Sequence, residues 1–189
     1  MLIAFDSGVD LLQDFTDNPE ELAEAVRKIR AGGGTSLYDA ISLAVTEKVA
    51  GEQGRKVLIV ISDGDDNASR VSLTETMEVA QKNNVAIYTI STNAAANFGT
   101  RDQQRGDDTL KTFAEETGGR AFFPFKLEDL AVSFEDISEE LRSQYTLAYS
   151  PTNTAKDGSY REIKVEALNR DFRVQARKGY YSPRETPQN

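Results

Sequence analysis

The stretch Ile61-Ser-Asp-Gly-Asp-Asp-Asn-Ala-Ser69 sets Asp63, Asp65, Asp66 and Asn67 within five residues. Asp63 ends the apolar run that begins at Val57, and Gly64 supplies a sharp turn directly after it. Side-chain oxygens crowded at one strand tip are the chemistry of a hard divalent cation. The same residue types also dominate solvated turns, with Ser69 or Ser72 serving further on as a helix cap. An EF-hand loop is excluded. Asp63, Asp65 and Asn67 match its first three ligand positions, but Ala68 stands where its glycine belongs and Thr74 where its bidentate glutamate belongs. A second stretch, Ile29-Arg-Ala-Gly-Gly-Gly-Thr-Ser-Leu-Tyr-Asp-Ala-Ile-Ser-Leu-Ala44, places three glycines before Thr35 and Ser36. Either hydroxyl is a good helix N-cap, and the glycines leave room for close backbone approach. This is not a phosphate loop, because it has no lysine and follows a helix rather than a strand.

Two absences narrow the chemistry further. The chain has no cysteine and no histidine. Disulfides, thiolate nucleophiles, Cys-based metal sites, Ser-His-Asp triads and His-ligated metals are all excluded. Any metal must therefore use oxygen ligands, which points to Mg²⁺, Ca²⁺ or Mn²⁺. The net charge is −9, with the acidic excess before residue 155 and a net positive segment over 156–178. An acidic bulk argues against a nucleic-acid footprint. No apolar run approaches the roughly 20 residues of a membrane helix. Met1 leads straight into Leu-Ile-Ala-Phe with no basic leader, so no signal peptide is expected within the chain.

The elements that must position these residues alternate in type. Leu2–Phe5 and Val9–Phe15 read as strands around a turn at Gly8, and a helix follows with Asp17 or Asn18 as cap and Pro19 in its first turn. Ser36–Ala50 reads as a second helix. Val57–Ile61, five consecutive apolar residues, reads as a central strand of a parallel sheet buried on both faces. Helix 72–84, strand 85–92, helix 108–119, strand 120–125 and a long helix 127–144 follow, while 93–108 reads as a long polar loop. Alternation of this kind predicts an α/β, doubly wound, Rossmann-like and mainly parallel sheet with helices on both faces. The end of the chain differs. Gln144–Ser150, Arg161–Leu168 and Asp171–Tyr181 show period-two patterning, with turn signals at Lys156–Ser159 and Asn169–Asp171, and predict a three-stranded antiparallel appendage. The expected division is an α/β domain over 1–143, the appendage over 144–183 and a disordered tail over 184–189.

Together, Gly-Gly-Gly-Thr-Ser-Leu-Tyr-Asp-Ala-Ile, then Gly-Arg-Lys-Val-Leu-Ile-Val-Ile-Ser-Asp-Gly-Asp-Asp-Asn-Ala-Ser, Thr117–Phe122, Gln144–Pro151 and Tyr160–Pro183 resemble the von Willebrand factor type A (VWA) domain, and more narrowly the bacterial VWFA-related proteins. The resemblance covers nearly the whole chain. It implies a non-catalytic adhesion or assembly module that holds Mg²⁺, or Ca²⁺ or Mn²⁺, by side-chain oxygens and leaves an open position for an acidic side chain of a protein partner. Carried over, Thr35 is the loop ligand and Asp63 the strand-tip acid, often acting through water. The family's first strand, ending in Asp-x-Ser-x-Ser, has no counterpart: in Asp6-Ser-Gly-Val-Asp10, Gly8 and Asp10 stand where serines are required. Leu2–Phe15 resembles the hairpin that follows that strand. The expectation is a chain that begins after the family's first strand and helix, with an incomplete metal site, weak Mg²⁺ binding or none, and exposed edges at Leu2–Phe5 and Lys56–Ile61 available for self-association. Export to the cell envelope is what the resemblance implies for localisation.

Two other functions compete. An aspartate-nucleophile phosphohydrolase would use Asp63 to attack and Asp65 as acid, but Asn67 stands where that motif wants threonine or valine. A metal-independent structural or assembly domain would need neither. Phe122, Phe123 and Phe125 read as strand and core residues, and Arg170, Arg173, Arg177 and Lys178 as a solvated strand face.

Overall fold

An antiparallel hairpin opens the chain in a computed structural model that describes residues 1–30, 32–93, 100–126 and 128–184. Its strands are β1 (Leu2–Phe5) and β2 (Val9–Gln13), with Phe5 opposite Val9. The Asp6 carboxylate holds the turn by accepting from the Gly8 amide at 2.9 Å. Helix α1 (Pro19–Arg27) starts as its sequence dictates. Asn18 caps it by accepting from the Glu20 amide at 3.0 Å, and Pro19 occupies a position whose missing N–H costs nothing. Helix α2 (Leu37–Leu43) runs on into a π-helical stretch over Ala44–Val49.

The alternating region then follows: β3 (Lys56–Ser62), α3 (Leu73–Lys82), β4 (Val85–Ser91), α4 (Arg101–Thr117), β5 (Ala121–Phe122) and α5 (Glu128–Arg142). The three strands form a parallel sheet in the order β3-β4-β5, with Val57 opposite Ala86 and Ile61 opposite Ile90. Parallel strands need crossovers, and α3 and α4 provide them. One face of the sheet packs Val60, Val85 and Ile87 against Leu37, Ile41, Val45, Ala80, Leu110 and Phe113. The other packs Tyr88, Ile90 and Phe122 against Ile137 of α5. Helices on both faces of a parallel sheet are the doubly wound arrangement expected from the alternation.

Four expectations change. Lys56–Ser62 is not central: β4 is, and β3 is an edge strand among the described residues. Its inner face is buried at Val60 (7% exposed), but Ile59 and Ile61 remain 42% and 47% exposed because no strand or helix among the described residues covers them. Residues 101–108 are helix rather than loop. Thr100 and Gln103 close a capping box around an Arg-Asp-Gln-Gln start that has no apolar stripe for periodicity to detect. Residues 94–99 of the expected loop lie outside the described residues. β2 and β5 are shorter than expected. The C-terminal appendage is a two-stranded ribbon, β6 (Tyr160–Glu162) with β7 (Gly179–Tyr181), rather than three long strands. Gln144–Ser150 joins no ladder, and Tyr145, Leu147 and Tyr149 are exposed. A strand without a neighbour to pair with gains nothing from its pattern. Residues 185–189 of the expected tail lie outside the described residues.

Candidate functional site

Three loops meet at the C-terminal ends of β1 and β3. The Ser36 amide donates to the Asp6 carbonyl at 2.7 Å. The Asn67 and Ala68 amides both donate to the Thr35 carbonyl at 3.1 Å, and the Thr35 amide donates to Asn67 Oδ1 at 2.9 Å. The glycine loop is thus clamped between the tips of the two strands. A Cβ on Gly32 would overlap the Asp6 carboxylate, which explains why this position takes glycine. Gly64 is constrained twice. Its φ of +80° lies in the left-handed region, and a Cβ there would overlap the Gly106 carbonyl of α4.

The loop after β3 divides its side chains between two tasks. Asp66 Oδ2 accepts from the Tyr38 amide at 2.9 Å, and Ser69 Oγ accepts from the Asp39 amide at 2.9 Å. These are orphan donors at the start of α2, capped by a distant loop. Asp39 returns the bond, its Oδ1 accepting from the Arg70 and Val71 amides at 3.0 and 3.1 Å. Ser36 sits at the N-cap position of α2 but makes no side-chain cap bond. The local cap read from the sequence is therefore replaced by a reciprocal clamp. Ser72, not Ser69, caps the following helix α3: it forms a capping box with Glu75, whose carboxyl is held below its ordinary pKa by the Ser72 amide and hydroxyl.

Asp66, Asn67 and Ser69 are consequently committed to structure, and the four-oxygen cation cluster read from the sequence is not available as such. Asp63 and Asp65 remain exposed. Asp63 Oδ1 accepts from the Asp65 amide at 3.1 Å, whereas its other carboxylate oxygen enters no hydrogen bond among the described residues. The Thr35 hydroxyl likewise enters none. Thr35 and Asp63 belong to loops bonded to each other and stand on one crest.

A second group fixes Asp63 from below. Asn93 Nδ2 donates to the Asp63 carbonyl at 2.7 Å and to Asp107 Oδ1 at 3.1 Å, and Ser91 Oγ donates to the same Asp107 oxygen at 2.6 Å. Sequence reasoning missed Ser91, Asn93 and Asp107. The available signal was that Ser91 and Asn93 stand at the tip of β4, beside that of β3, where open α/β sheets gather their functional groups.

A magnesium ion demands near-octahedral oxygen ligation. The crest offers the Thr35 hydroxyl, one Asp63 oxygen and the exposed Asp65 carboxylate, and no group of three or more His, Cys, Asp or Glu able to hold a metal occurs among the described residues. This donor set does not by itself fit a resident cation. No helix among the described residues is long and apolar enough to cross a membrane.

Comparison with known proteins places the chain. No curated protein matches it significantly in sequence. Its fold is similar to that of an aerotolerance-related membrane protein from Bacteroides fragilis NCTC 9343 carrying multiple mutations to serines, at 15% identity over 75% of this chain and 78% of that one, with a TM-score of 0.57. BatB, a conserved hypothetical protein from Bacteroides thetaiotaomicron, is 17% identical over 75% and 78% of the two chains, with a TM-score of 0.56. Proximal thread matrix protein 1 from the mussel byssus is 19% identical over 71% of this chain and 33% of its own, with a TM-score of 0.55. At such identities the likeness is one of fold. Family membership rests on the sequence pattern of the von Willebrand factor type A domain, which matches residues 2–140. With most of its length inside that pattern, the chain belongs to the von Willebrand factor type A domain family.

Proposed function

We propose that the chain is a protein-binding module whose recognition surface is the crest formed by residues 6–8, 32–36 and 63–69, with Thr35 and Asp63 as its contacting groups. Family membership supports an interaction or adhesion module, as a rule non-enzymatic and commonly associated with a divalent metal. The observation that carries the residue assignment is the division of labour on the crest. Asp66, Asn67 and Ser69 are spent on the start of α2 and on the glycine loop, while the Thr35 hydroxyl and one Asp63 oxygen are uncommitted at the surface. A partner that presents a carboxylate meets an acidic crest and needs a cation between the two charges. With few uncommitted oxygens on the crest and no group of three or more acidic ligands able to hold a metal among the described residues, this chain alone binds Mg²⁺ weakly, with a dissociation constant on the order of millimolar or weaker.

The test is a Mg²⁺ titration of the purified chain followed through its backbone amide NMR signals. Weak shifts are expected around Gly34–Ser36 and Ser62–Asp65, and Thr35→Ala and Asp63→Asn should each abolish them. Tight, stoichiometric Mg²⁺ binding by a monomer would sink the weak-site reading, and shifts indifferent to both substitutions would sink the residue assignment. Partner capture that survives EDTA unchanged would favour the metal-independent alternative. Phosphatase turnover lost in Asp63→Asn would revive the enzymatic one.

A further inference from the structure

We propose that a cavity at the pole of the parallel sheet opposite the crest binds a small organic anion, whose phosphate or carboxylate group is held by Arg55 and Arg177 and whose apolar part lies on Val85, Ala86 and Leu147. The cavity has a volume of about 320 Å³, within the range of small-molecule sites. It is built where β4 begins. Lys56 of β3 is opposite Val85 of β4, so the residues that precede them, Arg55 and Asn84, enter the sheet side by side, about 4.8 Å apart. Arg177 comes from the C-terminal segment and donates through Nη1 to Asn84 Oδ1. Its backbone is seated against the end of α4. There the Lys178 amide donates to the Glu116 carbonyl at 3.4 Å, and a Cβ on Gly118 would meet the Arg177 amide nitrogen. The α/β body and the appendage thus contribute one arginine each.

The charge of the wall runs against that of the chain. The sequence holds 31 acidic and 22 basic residues, yet the described residues that line the cavity include two arginines and no carboxylate. Neither guanidinium forms an ion pair among the described residues. Each is tethered instead by one nitrogen to neutral acceptors. Arg55 Nη1 donates to the Leu141 carbonyl at 2.5 Å and to Gln144 Oε1 at 3.4 Å, and Arg177 Nη1 donates to Asn84. The Nε and Nη2 donors of both side chains make no hydrogen bond among the described residues. Those two donors are the fork that takes a carboxylate or phosphate through two parallel bonds. A fork whose third nitrogen is already anchored loses little freedom on binding. The rest of the wall decides between an inorganic ion and an organic one. Val85, Ala86 and Leu147 give it an apolar side, and Leu147 is 76% exposed, so a ligand with a carbon skeleton removes apolar surface from water there.

The cavity lies away from the crest and does not depend on the roles of Thr35 and Asp63. The probes are phenyl phosphate, phenylacetate, inorganic phosphate and uncharged benzyl alcohol, each titrated calorimetrically into the full chain in Mg²⁺-free buffer at low salt. At least one of the two organic anions should bind saturably at one per chain, and at least tenfold more tightly than inorganic phosphate or benzyl alcohol. The tighter of the two names the head group. Arg55→Gln and Arg177→Gln should each weaken that binding at least tenfold with an unchanged far-UV circular dichroism spectrum. Leu147→Glu, at an exposed position with little packing to lose, should weaken it as much by placing a carboxylate in the wall. Asp63→Asn should leave it unchanged. Absence of saturable binding by both organic anions, inorganic phosphate binding as tightly as they do, affinity indifferent to the arginine substitutions, or loss of binding in Asp63→Asn would overturn the proposal. Where an arginine substitution disturbs the spectrum, undiminished binding by Leu147→Glu overturns it alone.

Discussion

Asp63 and Asp66 stand three residues apart on one loop and meet different fates. Asp66 caps a helix it does not belong to, so Asp66→Ala leaves the Tyr38 amide without its acceptor. The expected cost is about 1–2 kcal/mol, the range for a lost N-cap, read from urea unfolding. Thr35→Ala removes a hydroxyl with no bond to lose and should change stability by less than about 0.5 kcal/mol while weakening the Mg²⁺ response. That pairing of effects, stability at 66 and binding at 35, separates the capping role from the contacting one. Three exposed carboxyls are held below their ordinary pKa. Asp14 is lowered by the Lys48 ammonium and the Phe15 amide, Glu75 by the Ser72 amide and hydroxyl, and Asp157 by the Ser159 hydroxyl and amide. A depressed folded-state pKa adds stability above the unfolded value and loses it as pH falls through the folded one, so these contributions fade below about pH 4. The chain has no histidine, the side chain that ordinarily titrates near neutrality. Thermal midpoints should be flat between about pH 6 and 8 and fall below about pH 4.

Among the elements, the joint between β3 and α4 is the most constrained. Gly64 and Gly106 meet backbone to backbone, and neither position has room for a methyl group. Gly106→Ala is expected to cost about 2 kcal/mol or more in chemical denaturation, since the neighbour that must give way is main chain. Apolar periodicity made the alternation of strands and helices and the run ending at Asp63 legible in the sequence, and residue type narrowed the first N-cap to Asp17 or Asn18, of which the structure uses Asn18. The first half of α4 was not, because its helicity rests on a capping box and a glycine contact rather than on a stripe. The central placement of Val57–Ile61 was misread because an apolar run reports what a strand would bury, not whether a neighbour exists to bury it. The proposal of Thr35 and Asp63 rests on residue type and resemblance. The Asn93, Ser91 and Asp107 bracket was only partly legible: the strand tip pointed to Ser91 and Asn93, but Asp107 lies 16 residues from Ser91 and meets it only once β4 and α4 are placed. The capture of Asp66 by α2, across 28 residues, was equally unreadable.

For the molecule as a whole, the two sheets that share one helical layer are the dominant fact. The hairpin and the parallel sheet are joined through α2 and its loops rather than by a ladder.

The reciprocal clamp on α2 also bears on the order in which the chain folds. α2 is seven residues long, too short to persist alone, and its first donors are served by residues 28 and 30 positions away. The helix start closes only once β3 has docked and its loop has turned back, and the expectation is that this contact forms on the native side of the folding barrier. Asp66→Ala should then raise the unfolding rate and leave the refolding rate nearly unchanged, a shift confined to one arm of the chevron plot. The loops that display Thr35 and Asp63 would accordingly be the last part of the α2–β3 unit to form and the first to open.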